Sequence, residues 1–339
     1  MIKRVLIVKT SSMGDVLHTL PALTDAGKAL GNIRFDWVVE ERFAEIPSWH
    51  PLVDRVIPIA WRRWRKRIVK SIFSQEFRGF LRKLRERQYD VVIDAQGLIK
   101  SAVVSRLSRG KRIGLDKQSL WEPLSRFAYQ QHCSVDPKQH AVTRVRQLFS
   151  QALGYSLPDR IDYGIDKKQF ATNQPADKPY VLFIHGTTWK TKLWPENYWQ
   201  SLAKKVEAAG YEIKLPWGNQ EEKARAERIA SSCQTASLLR KMDLSELAGV
   251  IAHAKAVVAV DTGLGHLSAA FSVPTISLYG PTDPAAIGTI GESQVHLHQH
   301  VTCAKQCNSN HCAKKSEIKP ACFEGLDAEY VFHQLSGLI

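Results

Sequence analysis

The stretch "RVLIVKTSSMGDVLHTLPAL", Arg4 to Leu23, lies almost at the start of the chain and decides the fold. Its first five residues form an apolar run typical of a buried strand, and the apolar pattern after Asp15 is typical of a helix. A strand that leads into a helix is the opening unit of a parallel α/β sheet. The polar elbow between them has a single glycine, so it carries no G-x-G-x-x-G fingerprint, and no Walker motif follows. Its carboxylate, Asp15, either caps the helix or acts as a general base.

The same alternation of strand and helix continues along the chain and then restarts. Apolar runs predict further strands at Phe35–Glu40, Arg55–Ala60, Tyr89–Gly97, Tyr180–Gly186, Tyr211–Gly218, Ala254–Gly263 and Pro274–Gly280. Helical patterns lie between them at Ser74–Gln88 and Asn197–Gly210. We therefore predict an α/β protein with two Rossmann-like, doubly wound domains that face each other across a cleft. Their predicted bounds are 1–164 and 180–339, joined by a polar linker at 165–179 that contains two prolines.

Composition sets limits on the class of protein. The chain has 339 residues, of which 44% are hydrophobic, so it builds real cores and is not disordered. The sequence contains no run of ~18 apolar residues that would cross a membrane, and we recognise no apolar signal region in it. We therefore expect a cytoplasmic protein. The net charge of +14 implies an anionic partner. Charge alone would also allow a nucleic-acid-binding protein.

Two strand-to-helix elbows in the second half are candidate phosphate sites. In "VAVDTGLGHLSAAFSVPTISLYGPTDP", Val258 to Pro284, Asp261 and Thr262 make a turn, and Gly265 and His266 open a helix. A helix N-terminus there suits a pyrophosphate, although a plain N-cap would look the same. In the other elbow, "HGTTWKTKLWPENYW", Lys192 either neutralises a departing phosphate or is a solvated charge.

The segment "WRRWRKR", Trp61 to Arg67, is basic and aromatic. It suits nucleic-acid phosphates with stacked bases, an anionic membrane surface, or a solvated loop. Since it follows the third predicted strand, an arginine cluster there also suits the phosphate and carboxylate groups of a substrate.

Four of the six cysteines fall within the segment 303–322, in a C-x3-C-x4-C-x9-C pattern. They are Cys303, Cys307, Cys312 and Cys322. Four thiolates make a tetrahedral zinc site, and we predict a structural zinc with no part in catalysis. Reduced free thiols are the alternative.

From residue 1 to about 290 the chain resembles the bacterial lipopolysaccharide heptosyltransferases, which are GT-B glycosyltransferases. The resemblance is carried by "VKTSSMGDVLHTLPAL", "FDWVVEERFAEIPSWHP", "VIDAQGLIKSA", "IKLPWG", "VDTGLGHLSAA" and "YGPTDP". It implies that Asp15 is the catalytic base. The positions that match the family's ADP-heptose contacts are Thr187, Thr188, Lys192, Glu222, Met242, Asp261, Thr262, Gly263 and His266. Those that match its acceptor-binding positions are Ser12, Arg62, Arg63, Arg65 and Lys66.

The resemblance also implies a reaction. The family transfers L-glycero-D-manno-heptose from ADP-heptose to Kdo on lipid A, with inversion, and a related transferase with a different acceptor is the alternative. The expected partners are therefore ADP-heptose, the Kdo-lipid A acceptor and an anionic membrane, not nucleic acid. No D-x-D motif accompanies the nucleotide motifs, so we expect no cofactor to be required for catalysis. A lipid-linked acceptor implies peripheral contact with the cytoplasmic face of the inner membrane.

Overall fold

The computed structural model describes residues 3–170, 178–299, 310–312 and 320–339. The chain divides into two compact units, unit 1 (Met1–Ile165) and unit 2 (Asp166–Ile339). Each unit is built on one six-stranded sheet. In the described parts of the chain, no helix combines the length and the apolar character needed to cross a membrane.

Unit 1 contains a fully parallel sheet whose central strand comes from the opening sequence. Its strands are β1 (Lys3–Val8), β2 (Ile33–Glu40), β3 (Val53–Ile59), β4 (Val91–Asp94), β5 (Lys111–Leu115) and β6 (Gln131–Cys133). They lie in the order β3-β2-β1-β4-β5-β6. The last four residues of β1 are fully buried, which explains why that strand is an unbroken apolar run instead of an alternating one.

Helices lie between these strands and after the last of them. They are α1 (Met13–Leu17), α2 (Leu20–Leu30), α3 (Glu45–Ser48), α4 (Trp61–Trp64), α5 (Ile68–Ile72), α6 (Gln75–Arg85), α7 (Ile99–Leu107) and α8 (Ala141–Leu153). Short 3-10 helices occur at Glu41–Phe43, Arg65–Arg67 and Pro123–Ala128. Local sequence fixes several ends: the Ser74 hydroxyl accepts from the Phe77 amide at the start of α6, and Gly154 (φ +78°) ends α8 in the left-handed region.

Unit 2 repeats the same topology. Its strands are β7 (Tyr180–Ile184), β8 (Glu212–Leu215), β9 (Ala236–Leu238), β10 (Ala256–Val260), β11 (Thr275–Tyr279) and β12 (Gln294–His298). Their order is β12-β11-β10-β7-β8-β9, and all neighbours are parallel. The helices are α9 (Glu196–Ala208), α10 (Gln220–Ala230), α11 (Leu244–Ala252), α12 (Gly263–Ala270), α13 (Pro284–Ile287) and α14 (Ala328–Ser336). Short 3-10 helices occur at Lys167–Phe170, Lys190–Lys192 and Ala321–Phe323.

The predicted class, two Rossmann-like α/β domains, is confirmed. The interval proposed as a linker at 165–179 includes residues 171–177, which lie outside the described residues. Before them, the 3-10 helix Lys167–Phe170 belongs to unit 2, because the Phe170 ring lies 5.1 Å from the Phe271 ring.

Each sheet has one switch point, where the strand order changes direction. In unit 1 it lies between β1 and β4, and in unit 2 between β7 and β10. Parallel sheets bind ligands at the carboxyl end of their strands at such points. The elbow that contains Asp15 follows β1, and the elbows that contain Lys192 and Asp261 follow β7 and β10.

Candidate active site

The elbow after β1 holds Asp15 in a defined position. Asp15 lies in the first turn of α1, where its Oδ2 accepts hydrogen bonds of 2.7 Å from both the amide and the hydroxyl of Ser12. Its Oδ1 lies 3.4 Å from the ammonium of Lys9. Asp15 is thus part of the helix cap, and its side chain remains 40% exposed. The capping role and an open carboxylate oxygen therefore coexist in one residue.

The charge state of Asp15 follows from these neighbours. Burial raises its pKa, but the Lys9 ammonium, the Ser12 hydrogen bonds and the nearby His18 outweigh burial and lower the pKa to about 2. Because the folded-state pKa lies below the ordinary value, Asp15 stabilises the fold above that ordinary value and loses this contribution as the pH falls through about 2. The carboxylate is therefore ionised throughout the physiological range.

One side chain from the β4–α7 connection and one from the first turn of α7 support the elbow. Gln96 Oε1 accepts hydrogen bonds from the amides of Thr10 and Ser11, at 3.0 and 3.1 Å. The Lys100 ammonium donates to the Ser11 hydroxyl at 3.0 Å, and Lys9 donates to the carbonyl of Ala95 at 3.0 Å. These contacts hold the elbow after β1 against the residues that follow β4, the strand on the other side of the switch point.

A pocket of about 150 Å³ opens beside this elbow. Its lining includes Lys9, Asp15 and His18 together with Trp121 and Arg144. The cations and the aromatic ring suit an anionic ligand that carries an apolar or ring-shaped part.

We expect Lys9→Gln to move the acid limb of the pH–rate profile upward by about 1–2 pH units, because Lys9 is the main charge that keeps Asp15 ionised. The wild type should show no acid limb from Asp15 above pH ~4. The profile of kcat/KM against pH measures this shift. Lys3→Gln, at the other end of β1, is the matched control, and an acid limb unmoved by Lys9→Gln would exclude Lys9 from this role.

At the switch point of unit 2, two of the predicted ADP-heptose residues, Lys192 and Thr187, contact a third, Asp261. Lys192 Nζ lies 2.6 Å from Asp261 Oδ2, and the Thr282 hydroxyl donates to the same oxygen at 2.6 Å. The Thr187 hydroxyl donates to the Asp261 carbonyl at 3.0 Å. The Lys192 ammonium also lies 4.6 Å from the centre of the Trp189 ring. Asp261 and Trp189 therefore contact the lysine directly, and Thr187 and Thr282 hold Asp261 in place.

Helix α12 begins directly beside this ion pair. Thr262 is its N-cap residue with extended backbone, and Gly263 is its first helical residue. There are no acidic residues in its first turn, so its N-terminal amides keep their partial positive charge. His266 is buried in this turn. This end of the helix is suited to a diphosphate group.

Glu222 occupies the next elbow, in the first turn of α10. Its Oε2 accepts from the Gly218 amide at 2.7 Å. A Cβ placed on Gly186, at the end of β7, would lie 3.0 Å from the Glu222 carboxyl carbon, so the two elbows approach closely. Met242 precedes α11 and is half-buried, and Thr188 is exposed. Among the contacts of the described residues, no hydrogen bond, ion pair or ring contact joins either of them to the Lys192–Asp261 pair.

The basic segment is helical, with α4 followed by the 3-10 helix Arg65–Arg67. Trp64 neither stacks on a nucleic-acid base nor contacts a membrane, because it is buried and its ring lies 5.5 Å from that of Phe80. Arg63 forms ion pairs of 3.0 Å with Glu41 and 2.7 Å with Glu76. Arg62, Arg65 and Lys66 are exposed.

The cysteine segment is described only in part, because Cys303 and Cys307 lie outside the described residues. Cys322 is buried in the core of unit 2, where its sulfur would lie 3.0 Å from a Cβ placed on Gly280. No group of three or more metal-ligating side chains occurs among residues 3–170, 178–299, 310–312 and 320–339. The structural zinc stays a prediction.

Two Rossmann-like domains, with a candidate base on one sheet and a candidate diphosphate site on the other, are the arrangement expected of a GT-B glycosyltransferase. A family model described as glycosyltransferase family 9 (heptosyltransferase) matches residues 77–316, and the chain belongs to this family. It is 49% identical to lipopolysaccharide heptosyltransferase 1 of Pseudomonas aeruginosa, over 99% of this chain and 98% of that protein. It is 52% identical to lipopolysaccharide heptosyltransferase 1 of Escherichia coli K12, over 86% and 92% respectively.

A solved structure agrees with the sequence relatives. The E. coli heptosyltransferase WaaC with ADP-2-deoxy-2-fluoro heptose superimposes with a TM-score of 0.84 at 45% identity. The match covers 98% of this chain and 99% of that one. The predicted family and enzyme class, a glycosyltransferase of the heptosyltransferase family, are confirmed.

Four supporting residues escaped prediction from the sequence. They are Lys9, Gln96, Lys100 and Thr282. Lys9 and Gln96 follow β1 and β4, the strands that border the switch point of unit 1, and Thr282 follows β11, the neighbour of β10. Lys100 lies in the first turn of α7. A search for polar residues at all strand ends, and not only at the elbows with a motif, would have found three of the four.

Proposed function

We propose that this chain transfers L-glycero-D-manno-heptose from ADP-heptose to the Kdo residue of Kdo-lipid A, with inversion at the anomeric carbon. The observation that carries the proposal is the Asp15 carboxylate, ionised and partly open at the switch point of unit 1. The relatives named heptosyltransferase 1 support the donor sugar, and the heptose analogue in the WaaC structure supports ADP-heptose.

In the proposed reaction, an acceptor hydroxyl of Kdo attacks the anomeric carbon, and the bond from that carbon to the ADP oxygen breaks. Since Asp15 has a pKa of about 2, it is a weak base toward a neutral alcohol. It accepts the proton late, once the attacking oxygen carries positive charge and is strongly acidic. The Ser12 hydrogen bonds hold the carboxylate in the orientation that this transfer needs.

On the donor side, negative charge develops on the departing diphosphate. We assign its stabilisation to Lys192 and the N-terminus of α12, from Thr262 and Gly263. Glu222 lies at the neighbouring elbow, where the carboxylate oxygen that does not accept from Gly218 suits the hydroxyls of a ribose. Thr187, Thr188, Met242, Asp261 and His266 complete the proposed ADP-heptose site. We propose that this chemistry requires no cofactor.

The acceptor is proposed to bind through Ser12, Arg62, Arg65 and Lys66, on a protein that works at the cytoplasmic face of the inner membrane. The test is turnover of ADP-heptose with deacylated Kdo-lipid A, followed by product mass and by the anomeric configuration of the new bond. One added heptose with inverted configuration supports the proposal. Product formed only with an acceptor that already carries heptose would contradict the Kdo assignment.

We expect the double change Arg62→Gln and Arg65→Gln to raise the KM for the acceptor about three- to tenfold. The reason is that it removes two partly exposed ion pairs with the acceptor, each of which contributes modestly to binding. The KM for ADP-heptose should stay the same, since the proposed donor residues all lie in unit 2. Steady-state kinetics with each substrate varied in turn measures both constants.

Two further variants sharpen this experiment. Arg78→Gln, an exposed arginine of α6, is the matched control for lost charge. Arg63→Gln should instead act on local structure, because it breaks the pairs with Glu41 and Glu76. An equal loss of donor affinity in the Arg62 and Arg65 variant would contradict the assignment.

A further inference from the structure

Unit 1 exposes an unusual number of large apolar side chains, which we call the apolar rim. Its members are Ile68, Val69, Ile72, Phe73, Ile99, Val103, Trp121, Leu124 and Phe127. Five of them have exposed fractions between 67% and 77%. In the described part of unit 2, the large apolar residues with comparable exposure are Trp189 and Tyr330. Exposed apolar clusters of this kind mark interaction surfaces.

The first part of the apolar rim is the outer face of α5. Val69 and Phe73 are four residues apart and therefore lie on the same side of the helix. A surface helix normally turns its apolar face toward the core, but here the core beneath is already filled. The rings of Trp64, Phe77 and Phe80 pack against one another there, with centroids 5.4 Å apart for Trp64 and Phe77.

The second part of the apolar rim lies on α7 and the 3-10 helix Pro123–Ala128, which contact each other. The Ile99 amide donates to the Glu122 carboxylate at 2.6 Å and thereby joins the start of α7 to this segment. Trp121 lines the pocket that contains Asp15. The apolar rim therefore borders the elbow where the proposed acceptor reacts.

Helix α6 connects the two parts. It contacts α5 on one side and α7 on the other, so the helices that carry the two parts are neighbours in unit 1. The two parts belong to one side of unit 1, around the carboxyl edge of its sheet.

Most of the charges around the apolar rim are positive, and Glu122, which accepts from the Ile99 amide, is the acidic exception named above. Arg65, Lys66, Arg67 and Lys70 are exposed, and none of them forms an ion pair with any described residue within 4.0 Å. In the second part, the Arg126 guanidinium lies 4.7 Å from the centre of the Phe127 ring. Apolar side chains surrounded by lysine and arginine complement a bilayer with anionic headgroups, where the rings enter the interface and the cations contact phosphates.

We propose that unit 1 docks on an anionic lipid bilayer through the apolar rim, with Arg67 and Lys70 at the headgroups. The inference rests on the proposed function, since it assigns the surface that meets the membrane in which the lipid-linked acceptor is anchored. Docking at this edge presents the Asp15 elbow to a sugar that projects from the bilayer.

The test is cosedimentation of the full chain with vesicles of phosphatidylethanolamine and phosphatidylglycerol, compared with vesicles of phosphatidylcholine. We expect Val69→Ser with Phe73→Ser, and separately Leu124→Ser with Phe127→Ser, each to lower the partition coefficient about tenfold. Arg67→Gln with Lys70→Gln should lower the partition coefficient about tenfold on anionic vesicles only. Added salt should likewise lower the partition coefficient of the wild type on anionic vesicles. Tyr330→Ser, an exposed aromatic residue of unit 2, is the matched control and should bind as the wild type does.

The binding assay contains neither donor nor acceptor, so its failure is distinct from a failure of the proposed reaction. Wild-type binding by both serine variants would overturn the docking surface. Dissociation of a dimer by Val69→Ser with Phe73→Ser, seen by analytical ultracentrifugation without vesicles, would also overturn it, because the apolar rim would then cover a second copy of the chain. Normal vesicle binding together with absent heptosyl transfer would support the surface and contradict the reaction instead.

Discussion

Asp15→Asn is expected to lower kcat about 10²- to 10⁴-fold, the usual contribution of a general base. The amide cannot accept the proton of the attacking hydroxyl, although its oxygen can still accept the Ser12 hydrogen bonds that cap α1. The elbow should therefore keep its shape, and the loss should be chemical. Affinity for ADP-heptose should stay within about threefold, so the effect is confined to kcat.

The measurement pairs single-turnover kinetics with calorimetric titration of ADP-heptose. Asp54→Asn is the matched control, since Asp54 lies in β3 and forms only partly exposed ion pairs with Arg4 and Arg34. It should retain wild-type turnover. If Asp15→Asn kept more than a third of the activity, Asp15 would have no place as the base.

Lys192→Ala is expected to weaken ADP-heptose binding about 10- to 100-fold, as loss of a charge-assisted hydrogen bond would. It should also lower kcat about 10²- to 10³-fold, because diphosphate charge grows as the glycosidic bond breaks. The substitution leaves the Asp261 carboxylate without its cation, 2.6 Å away in the intact protein. Asp261 would then repel the diphosphate, which adds to the loss.

Lys190→Ala is the matched control, because Lys190 lies in the same 3-10 helix and is exposed. It should change both constants little. Donor titration and single-turnover rates distinguish the two variants. A Lys192→Ala enzyme with altered acceptor KM alone would contradict the role of Lys192 at the diphosphate.

Much of the architecture could be predicted from the sequence because the central strands are buried on both faces. β1, β4, β7 and β10 are continuous apolar runs, and such runs are easy to recognise. The outer strands β5, β6, β9 and β12 were not predicted. They carry polar residues such as Lys111 and His132, and their strand conformation comes from pairing with a neighbour, a contact that local sequence does not encode.

The candidate site was predictable where a motif carried it and unpredictable where distant segments meet. Asp15 is recognisable from its elbow, but the contact of Gln96 with the amides of Thr10 and Ser11 joins residues about 86 positions apart. Trp64 was misjudged for a related reason. A tryptophan among arginines looks exposed in the sequence, yet α6 folds back and supplies Phe77 and Phe80 to bury it.

The pairing of Lys192 with Asp261 has a consequence for selectivity among small anions. A lone ammonium at a helix N-terminus would attract inorganic phosphate and chloride from the surrounding solution. Here the neighbouring carboxylate cancels most of that charge before any ligand arrives. A bare anion gains little there, whereas a nucleotide sugar adds the contacts of its base, ribose and heptose. The ion pair therefore favours binding of the nucleotide sugar over binding of simple anions.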